Sequence, residues 1–192
     1  MTTLVVVRKG DRAVIAADSL TTFGDTRLSA QFDESPEKIL KHRDTYLGFC
    51  GSAAHQLVFE SLLAGHKELD FAGKASVFET FRKLHPILKD QHFLNPKEEE
   101  DDPYESTQIT ALIANPHGIF GIYSMREVFE YKRFWAAGSG REFALGAMHA
   151  MYDRLDTAED VARLGVEVGS TFDKNSSLPL SIYSVALEGA RR

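Results

Sequence analysis

The chain has 192 residues, 43% of them hydrophobic and 26% charged, and its 22 basic and 28 acidic side chains give a net charge of -6. One domain over residues 1–192 is predicted, because this length is typical of a single domain and supports a core without disulfides. The acidic balance argues against a nucleic-acid-binding protein. We expect a cytoplasmic protein outside the membrane, because the sequence has no long apolar run, no secretory signal and no second cysteine.

The first predicted elements are two strands that form a hairpin at the N-terminus. Residues 2–8 are rich in β-branched side chains, and residues 13–17 have the composition of the returning strand. Asp18 follows the second strand, so a carboxylate is expected at its tip. The polar residues 19–37 are predicted to be irregular.

Two short strands and a helix are predicted next. The strands fall at 38–40 and 45–50. Ser52 has the chemistry of an N-cap and predicts a helix over 53–64, with Gly65 as its C-terminal stop.

A second helix and an acidic loop follow. The segment Ser76–Glu79 has the form of a capping box and predicts the start of the helix. Pro86 is expected to kink or split that helix, because proline removes a backbone hydrogen bond. Residues 95–105 are strongly acidic, and we interpret them as an exposed, solvated loop rather than a cation or partner site.

The second half of the chain is predicted to alternate strands and helices. In chain order we expect strands at 108–114, 119–124 and 128–134, a glycine hinge at 136–140, helices at 141–154 and 158–171, a polar loop at 173–177 and a last strand at 180–187. Strands grouped between pairs of helices predict sheets covered by helical layers.

The N-terminus itself offers a catalytic arrangement. If Met1 is removed, as is usual before a small residue, the Thr2 hydroxyl can attack while its own amine, with a pKa of about 8, accepts the proton. Such a site needs a cation near the hydroxyl, a carboxylate to orient the cation and a backbone N–H for the oxyanion. Lys38, Asp18 and Gly51 are the candidates for these three roles.

Other chemistries have weaker support. Cys50 and His55 could form a nucleophile–base pair, but Cys50 falls in a predicted buried strand, and core packing is favoured. The histidines show no metal-binding spacing, and no phosphate-binding or dinucleotide fingerprint is present. We therefore expect neither a metal nor a cofactor.

Several short motifs follow one another in a recognisable order. They occupy residues 2–7, 16–18, 38–39, 48–53, 137–140 and 173–176. Together they resemble the signature of proteasome β subunits and of HslV. The segments 18–25 and 172–178 are most similar to bacterial proteasome homologues that are neither HslV nor the actinobacterial proteasome.

This resemblance implies an α+β fold, a four-layer αββα sandwich, that hydrolyses peptide bonds inside homo-oligomeric stacked rings. Unfolded polypeptides or peptides would be the substrates, and an ATP-dependent unfoldase is a possible partner. The resemblance implies that Thr2 is the nucleophile, that Lys38 lowers its pKa and that Asp18 bridges to Lys38. It also implies that the Gly51 N–H donates to the oxyanion, and that Ser139, Asp173 and Ser176 hydrogen-bond the free amine and the hydroxyl. Substrate would contact Thr22, Phe49 and Ala53, with Phe49 at the base of a shallow apolar pocket.

The chain also departs from the family pattern. The segment from Asp18 to Lys38 is longer by a few residues, Gly51-Ser52 replaces a glycine pair, and the acidic 95–105 segment is an insertion. Two alternatives to a peptidase stay open. A retained Met1 would leave a catalytically silent ring scaffold or binding compartment, and the same fold could serve a non-proteolytic amidase or transpeptidase.

Overall fold

The structure is a computed structural model that describes residues 2–95, 100–101, 104–107 and 109–189. Its strands are β1 (Leu4–Lys9), β2 (Arg12–Asp18), β3 (Thr21–Phe23), β4 (Thr26–Leu28), β5 (Ile39–His42), β6 (Thr45–Cys50), β7 (Thr110–Asn115), β8 (Gly118–Ile122), β9 (Val128–Tyr131), β10 (Phe134–Ala137) and β11 (Leu180–Ala186). Its helices are α1 (Ala53–Gly65), α2 (Lys74–Asp90), α3 (Arg141–Met151) and α4 (Ala158–Phe172).

The strands form two main antiparallel sheets. The first has the order β10-β1-β2-β11, and the second has the order β5-β6-β7-β8-β9. The N-terminal hairpin lies at the centre of the first sheet, because β1 pairs with both β2 and β10. β3 and β4 form a separate small hairpin.

The alternating side chains of β7 show how the layers are held together. Ala111 and Ile113 belong to an apolar cluster shared with α1 and α2, whereas Leu112 and Ala114 belong to a cluster between the two sheets. This period-two alternation is what a strand buried on both faces produces. The second sheet therefore lies between a helical layer and the first sheet.

β1 shows the same alternation on the other side of the molecule. Leu4 and Val6 face the second sheet, whereas Val5 and Val7 pack with α3 and α4. Three apolar clusters thus separate four layers, in the order helices, sheet, sheet, helices. The expected αββα sandwich is confirmed.

The predicted strand at 128–134 is wrong in one respect. It is two strands: β9 pairs with β8 in the second sheet, and β10 pairs with β1 in the first. The chain crosses between the sheets at residues 132–133, and the expected hinge residues Ala136 and Ala137 belong to β10. Aromatic and apolar side chains indicate a strand but not its partner, so the crossing left no local signal.

The predicted start of α2 is also wrong. The helix begins at Lys74 after the N-cap Gly73, with no side-chain cap. The two groups of the expected capping box are engaged elsewhere, because Ser76 bonds to Asp70 and Glu79 bonds to Arg82.

Pro86 does not divide α2, which continues to Asp90. Leu84 and Leu88, on either side of the proline, are buried in the cluster beneath the helix. This packing holds both halves in one helix and outweighs the local preference of proline.

The two segments expected to be loops hold more structure than predicted. Residues 19–37 include the β3–β4 hairpin, with Gly24 in its turn at φ +59°. In the acidic segment, Glu105 hydrogen-bonds to His85 over 2.9 Å and to Lys89. Glu100 and Asp101 are exposed as expected, and the remaining acidic residues Glu98, Glu99 and Asp102 lie outside the described residues.

Candidate active site

The two threonines at the start of the chain are held inside the protein. Thr2 and Thr3 are 4% and 0% exposed. The Thr2 carbonyl accepts the Gly140 N–H over 3.4 Å, and the Thr3 carbonyl accepts the Asp18 N–H over 3.1 Å. These bonds fix the first residues to the start of α3, through its N-cap Gly140, and to β2, so the Thr2 side chain has a defined position.

A buried lysine and carboxylate lie beside Thr2. The Lys38 ammonium donates to Asp18 Oδ1 over 2.9 Å and to Thr2 Oγ1 over 3.3 Å. Lys38 is 8% exposed and Asp18 is 1% exposed. A lysine this deeply buried requires a partner, and the adjacent carboxylate supplies it. The arrangement holds a positive charge within hydrogen-bonding distance of the hydroxyl.

A second polar cluster lies on the other side of the N-terminus. The Thr3 hydroxyl donates to Ser176 Oγ over 2.8 Å, and the Ser176 and Ser139 hydroxyls donate to Asp173 Oδ2 over 2.7 and 2.6 Å. Burial alone would raise the pKa of Asp173, but these bonds and those from Asn175 outweigh it and lower the pKa. Asp173 therefore stays ionised near neutral pH.

Gly51 joins β6 to α1 with φ +121°, a conformation that side chains with a Cβ rarely adopt. Ser52 follows as the N-cap of α1, and its side chain accepts the Ala54 N–H over 3.2 Å. Gly51 thus lies next to the positive end of a helix dipole, a place suited to developing negative charge.

These groups line a cavity of about 250 Å³. Phe49 is 6% exposed and packs on Phe59, with ring centroids 4.5 Å apart. The cavity is lined by Thr2, Leu20, Thr21, Thr22, Phe23, Lys38, Phe49, Gly51, Ser52, Ala53 and Gln56. The predicted substrate-contact residues Thr22, Phe49 and Ala53 are all among them.

The structure therefore gathers all the predicted site residues around the N-terminus. Asp18 and Lys38 lie on one side of Thr2, with Gly51 on the cavity wall. Ser139, Asp173 and Ser176 reach it through Thr3. Thr3 is absent from the site predicted from the sequence, although the Thr2-Thr3 pair is a signal for it. Gln56 is absent from that prediction too, and the sequence holds no signal for it.

Cys50 does not form the alternative nucleophile–base pair. Burial raises the pKa of its thiol to about 12, so the thiolate form is scarce at neutral pH. The Nδ1 atom of His55 is buried with no hydrogen-bond partner. Cys50 packs against the apolar cluster between the sheets, which confirms core packing.

Two broader features of the described residues bear on the type of site. Among them, no group of three or more histidine, cysteine, aspartate or glutamate side chains is arranged to hold a metal ion. Within the same part of the chain, every helix is too short or too polar to cross a membrane.

Comparison with known proteins gives three informative likenesses. BPH from Thiobacillus denitrificans, solved in complex with epoxomicin, is 38% identical, has a TM-score of 0.90, and matches 97% of this chain and 99% of its own. The proteasome subunit beta of Nanoarchaeum equitans is 27% identical over 100% of this chain and 96% of its own. The ATP-dependent protease subunit HslV of Roseobacter denitrificans is 26% identical over 84% of this chain and 81% of its own. No protein-family model matches the sequence.

The two-sheet sandwich with a buried threonine at its first strand defines the class of protein. It is the N-terminal-nucleophile hydrolase fold of proteasome β subunits and HslV. Within that class, the chain belongs to the family of bacterial proteasome homologues, as its full-length likeness to BPH shows.

Proposed function

We propose that this protein is a threonine peptidase whose nucleophile is Thr2 after removal of Met1. One observation carries the proposal: a buried lysine, neutralised by Asp18 at 2.9 Å, directs its ammonium at Thr2 Oγ1 from 3.3 Å. A cation so placed stabilises the alkoxide form of the hydroxyl and disfavours protonation of a neighbouring amine. Both effects favour attack by Thr2.

The reaction follows from these groups. The Thr2 hydroxyl attacks the substrate carbonyl carbon, and its proton passes to the free α-amine of the same residue. The tetrahedral intermediate then expels the leaving amine, which takes that proton, and an ester to Thr2 Oγ1 remains. Water, deprotonated by the same α-amine, hydrolyses the ester and restores the hydroxyl. Lys38 acts throughout as a fixed positive charge.

Two further groups complete the proposed machinery. The Gly51 N–H would donate to the oxyanion at the start of α1, where the helix dipole adds to the effect. The cluster of Ser139, Asp173 and Ser176 would hydrogen-bond the free amine of Thr2 and orient it. The ionised Asp173 suits this role because it can accept hydrogen bonds from an amine and from hydroxyls.

The cavity suits an extended polypeptide. A substrate strand would pair with the backbone of β3 at Thr22, as in other cases where a peptide adds to a sheet edge. The side chain before the scissile bond would enter the pocket above Phe49 and beside Ala53. Because Phe49 is held against Phe59, the floor of this pocket is rigid and apolar.

We further propose that the protein assembles into homo-oligomeric stacked rings in the cytoplasm. The names of two relatives, a proteasome subunit beta and an ATP-dependent protease subunit, support assembly of this chain and cooperation with an ATP-dependent unfoldase. Enclosure within a ring would restrict substrates to unfolded polypeptides or peptides.

The decisive experiment is intact mass spectrometry with and without epoxomicin, beside a Thr2→Ala control. An epoxyketone needs both a hydroxyl and a free amine on one residue to form its ring adduct. We expect the wild-type protein to lack Met1 and to gain one inhibitor mass per chain, and we expect Thr2→Ala to gain none. Hydrolysis of a panel of fluorogenic peptides should show the same dependence on Thr2.

The opposite result has an equally clear meaning. A retained Met1 with no adduct would contradict the peptidase and favour a silent ring scaffold. An adduct without hydrolysis of any peptide, but with turnover of small amides or transfer to an amine, would favour an amidase or transpeptidase of the same fold.

A further inference from the structure

Lys38 and the two groups that it contacts, Thr2 and Asp18, lie in or next to strands of different sheets. Thr2 lies two residues before β1 and Asp18 is the last residue of β2, both strands of the first sheet. Lys38 immediately precedes β5, an edge strand of the second sheet. Ladder pairing of β5 begins only at Ile39, and residues 29–38 contain no helix or strand. The backbone at Lys38 therefore needs an anchor beyond the strand ladder.

Glu37, the preceding residue, makes three hydrogen bonds that supply such an anchor. Its Oε1 accepts the Ile39 N–H over 2.9 Å, and its Oε2 accepts the Tyr183 hydroxyl over 2.7 Å. Its backbone carbonyl accepts Gln56 Nε2 over 2.5 Å. Gln56 lies on α1 and lines the cavity, so Glu37 links β5, the cavity wall and β11.

Tyr183 is itself firmly placed. It lies on β11 opposite Ile15 of β2, and its ring stacks on Tyr46 of β6 with centroids 4.8 Å apart. The hydrogen bond to Glu37, together with burial, raises the pKa of Tyr183 to about 12, as expected for a phenol that donates to a carboxylate. The Glu37–Tyr183 bond thus joins the second sheet to the first, one residue from Lys38.

We propose that Glu37 and Tyr183 are positioning residues that set the distance between the Lys38 ammonium and the Thr2 hydroxyl. Packed sheets are held about 10 Å apart by side chains that can shift slightly, whereas a hydrogen bond fixes one point of the gap. Their hydrogen bonds end on Ile39, on Gln56 and on each other rather than on Thr2, so both act through the backbone of Lys38. This inference rests on the proposed role of Lys38 in peptide hydrolysis.

The test compares conservative variants with a matched control. Tyr183→Phe keeps the stacked ring and removes the bond, and Glu37→Gln leaves a neutral side chain with one acceptor oxygen for two donors. Tyr152→Phe is the control, because its hydroxyl bonds to the Arg8 carbonyl far from the cavity. All three variants should stay folded, as judged by thermal denaturation.

We expect Tyr183→Phe and Glu37→Gln each to lower kcat for peptide hydrolysis about tenfold with KM changed less than about twofold, since small displacements of reacting groups are costly in rate. The acidic limb of the kcat profile should move to higher pH, because a more distant Lys38 ammonium raises the pKa of the Thr2 amine. The double variant should be no slower than the slower single variant, because both single variants weaken the same Glu37–Tyr183 hydrogen bond. Tyr152→Phe should match the wild type in kcat and in pH profile.

Crystal structures of the wild type and of Tyr183→Phe give a readout that needs no activity. We expect the Lys38 Nζ to Thr2 Oγ1 distance to lengthen from 3.3 Å in the variant. An active wild type whose Tyr183→Phe variant keeps kcat, pH profile and this distance would overturn the inference. An inactive wild type would contradict the proposed function instead, and the crystallographic distance alone would then decide whether Glu37 and Tyr183 position Lys38.

Discussion

Asp18 connects the chemistry of the site to the stability of the fold. Its Oδ1 accepts from the Lys38 ammonium and the Thr3 N–H, and its Oδ2 accepts from the N–H groups of Leu20 and Ser177. A buried carboxylate needs hydrogen-bond donors to offset its loss of hydration, and these four donors supply them. The residue that neutralises Lys38 therefore also fixes the end of β2 to the loop before β11.

Asp173 makes the stability of the protein depend on pH in a defined direction. Its folded-state pKa lies below the ordinary 3.8, so its hydrogen bonds contribute fully above that pH and weaken as the pH falls through the folded-state value. We expect Ser139→Ala to lower the free energy of unfolding by about 1.5–3 kcal/mol at pH 7, because the lost hydrogen bond is to an ionised carboxylate. This difference from the wild type should shrink below pH 3.8, as measured by urea denaturation from neutral to acidic pH.

Ser52→Ala is the control for this measurement, because the hydroxyl caps α1 through a backbone N–H that does not titrate. Ser52→Ala should lower the free energy of unfolding by about 1 kcal/mol, and this difference should not depend on pH. If the loss of unfolding free energy in Ser139→Ala were equally independent of pH, the stabilising effect of Ser139 would not depend on the charge of Asp173.

Sequence reasoning found residues with unusual local chemistry and missed those defined by distant partners. Thr2, Lys38 and Asp18 could be predicted, because each follows or precedes a strand in a recognisable order. Glu37 could not, because its hydrogen-bond partner Tyr183 lies 146 residues away. Contacts at that separation depend on how the sheets stack, which local patterns do not record.

At the scale of elements, Gly138 and Gly140 let β10 and α3 approach the N-terminus. Gly138 has φ +88°, and a Cβ there would collide with the Thr2 carbonyl oxygen. A Cβ on Gly140 would likewise collide with the Thr3 hydroxyl. The glycine pattern predicts a hinge, but in the structure these glycines allow close packing against the site.

Gly138→Ala should therefore displace Thr2 and abolish both epoxomicin adduct formation and peptide hydrolysis. We also expect it to destabilise the protein by about 2 kcal/mol or more, since backbone strain and overpacking add. Gly146→Ala is the matched control, because a Cβ at that position in α3 meets nothing within 4 Å. It should keep full activity and stabilise the protein by about 0.5–1 kcal/mol. Adduct formation in Gly138→Ala at the wild-type rate would contradict this account of the glycine.

At the scale of the molecule, the site lies where the two sheets meet. Thr2 precedes β1 and Asp18 ends β2 in one sheet, whereas Lys38 directly precedes β5 of the other. The element order predicted helical layers on sheets, but it could not show that the chain changes sheets at residues 132–133. That crossing brings β10 beside β1, which places Ser139 and Gly140 next to the first two threonines.

The proposed ring assembly predicts how the intact protein behaves in solution. Several large apolar side chains are exposed on the isolated chain, among them Phe93 at 86%, Phe32 at 75% and Phe172 at 66%. Subunit contacts that cover part of this surface would stabilise the folded state by mass action, so the Tm should rise with protein concentration. Light scattering after size-exclusion chromatography should give a multiple of the 21.4 kDa chain mass.

Thr2→Ala separates assembly from chemistry in this experiment. The substitution removes the proposed nucleophile inside the fold, so the variant should form the same assembly as the wild type while losing adduct formation. A mass of 21.4 kDa at every concentration, with a constant Tm, would rule out the ring. The cavity beside Thr2 would then be open to folded as well as unfolded chains, because no neighbouring subunit would enclose it.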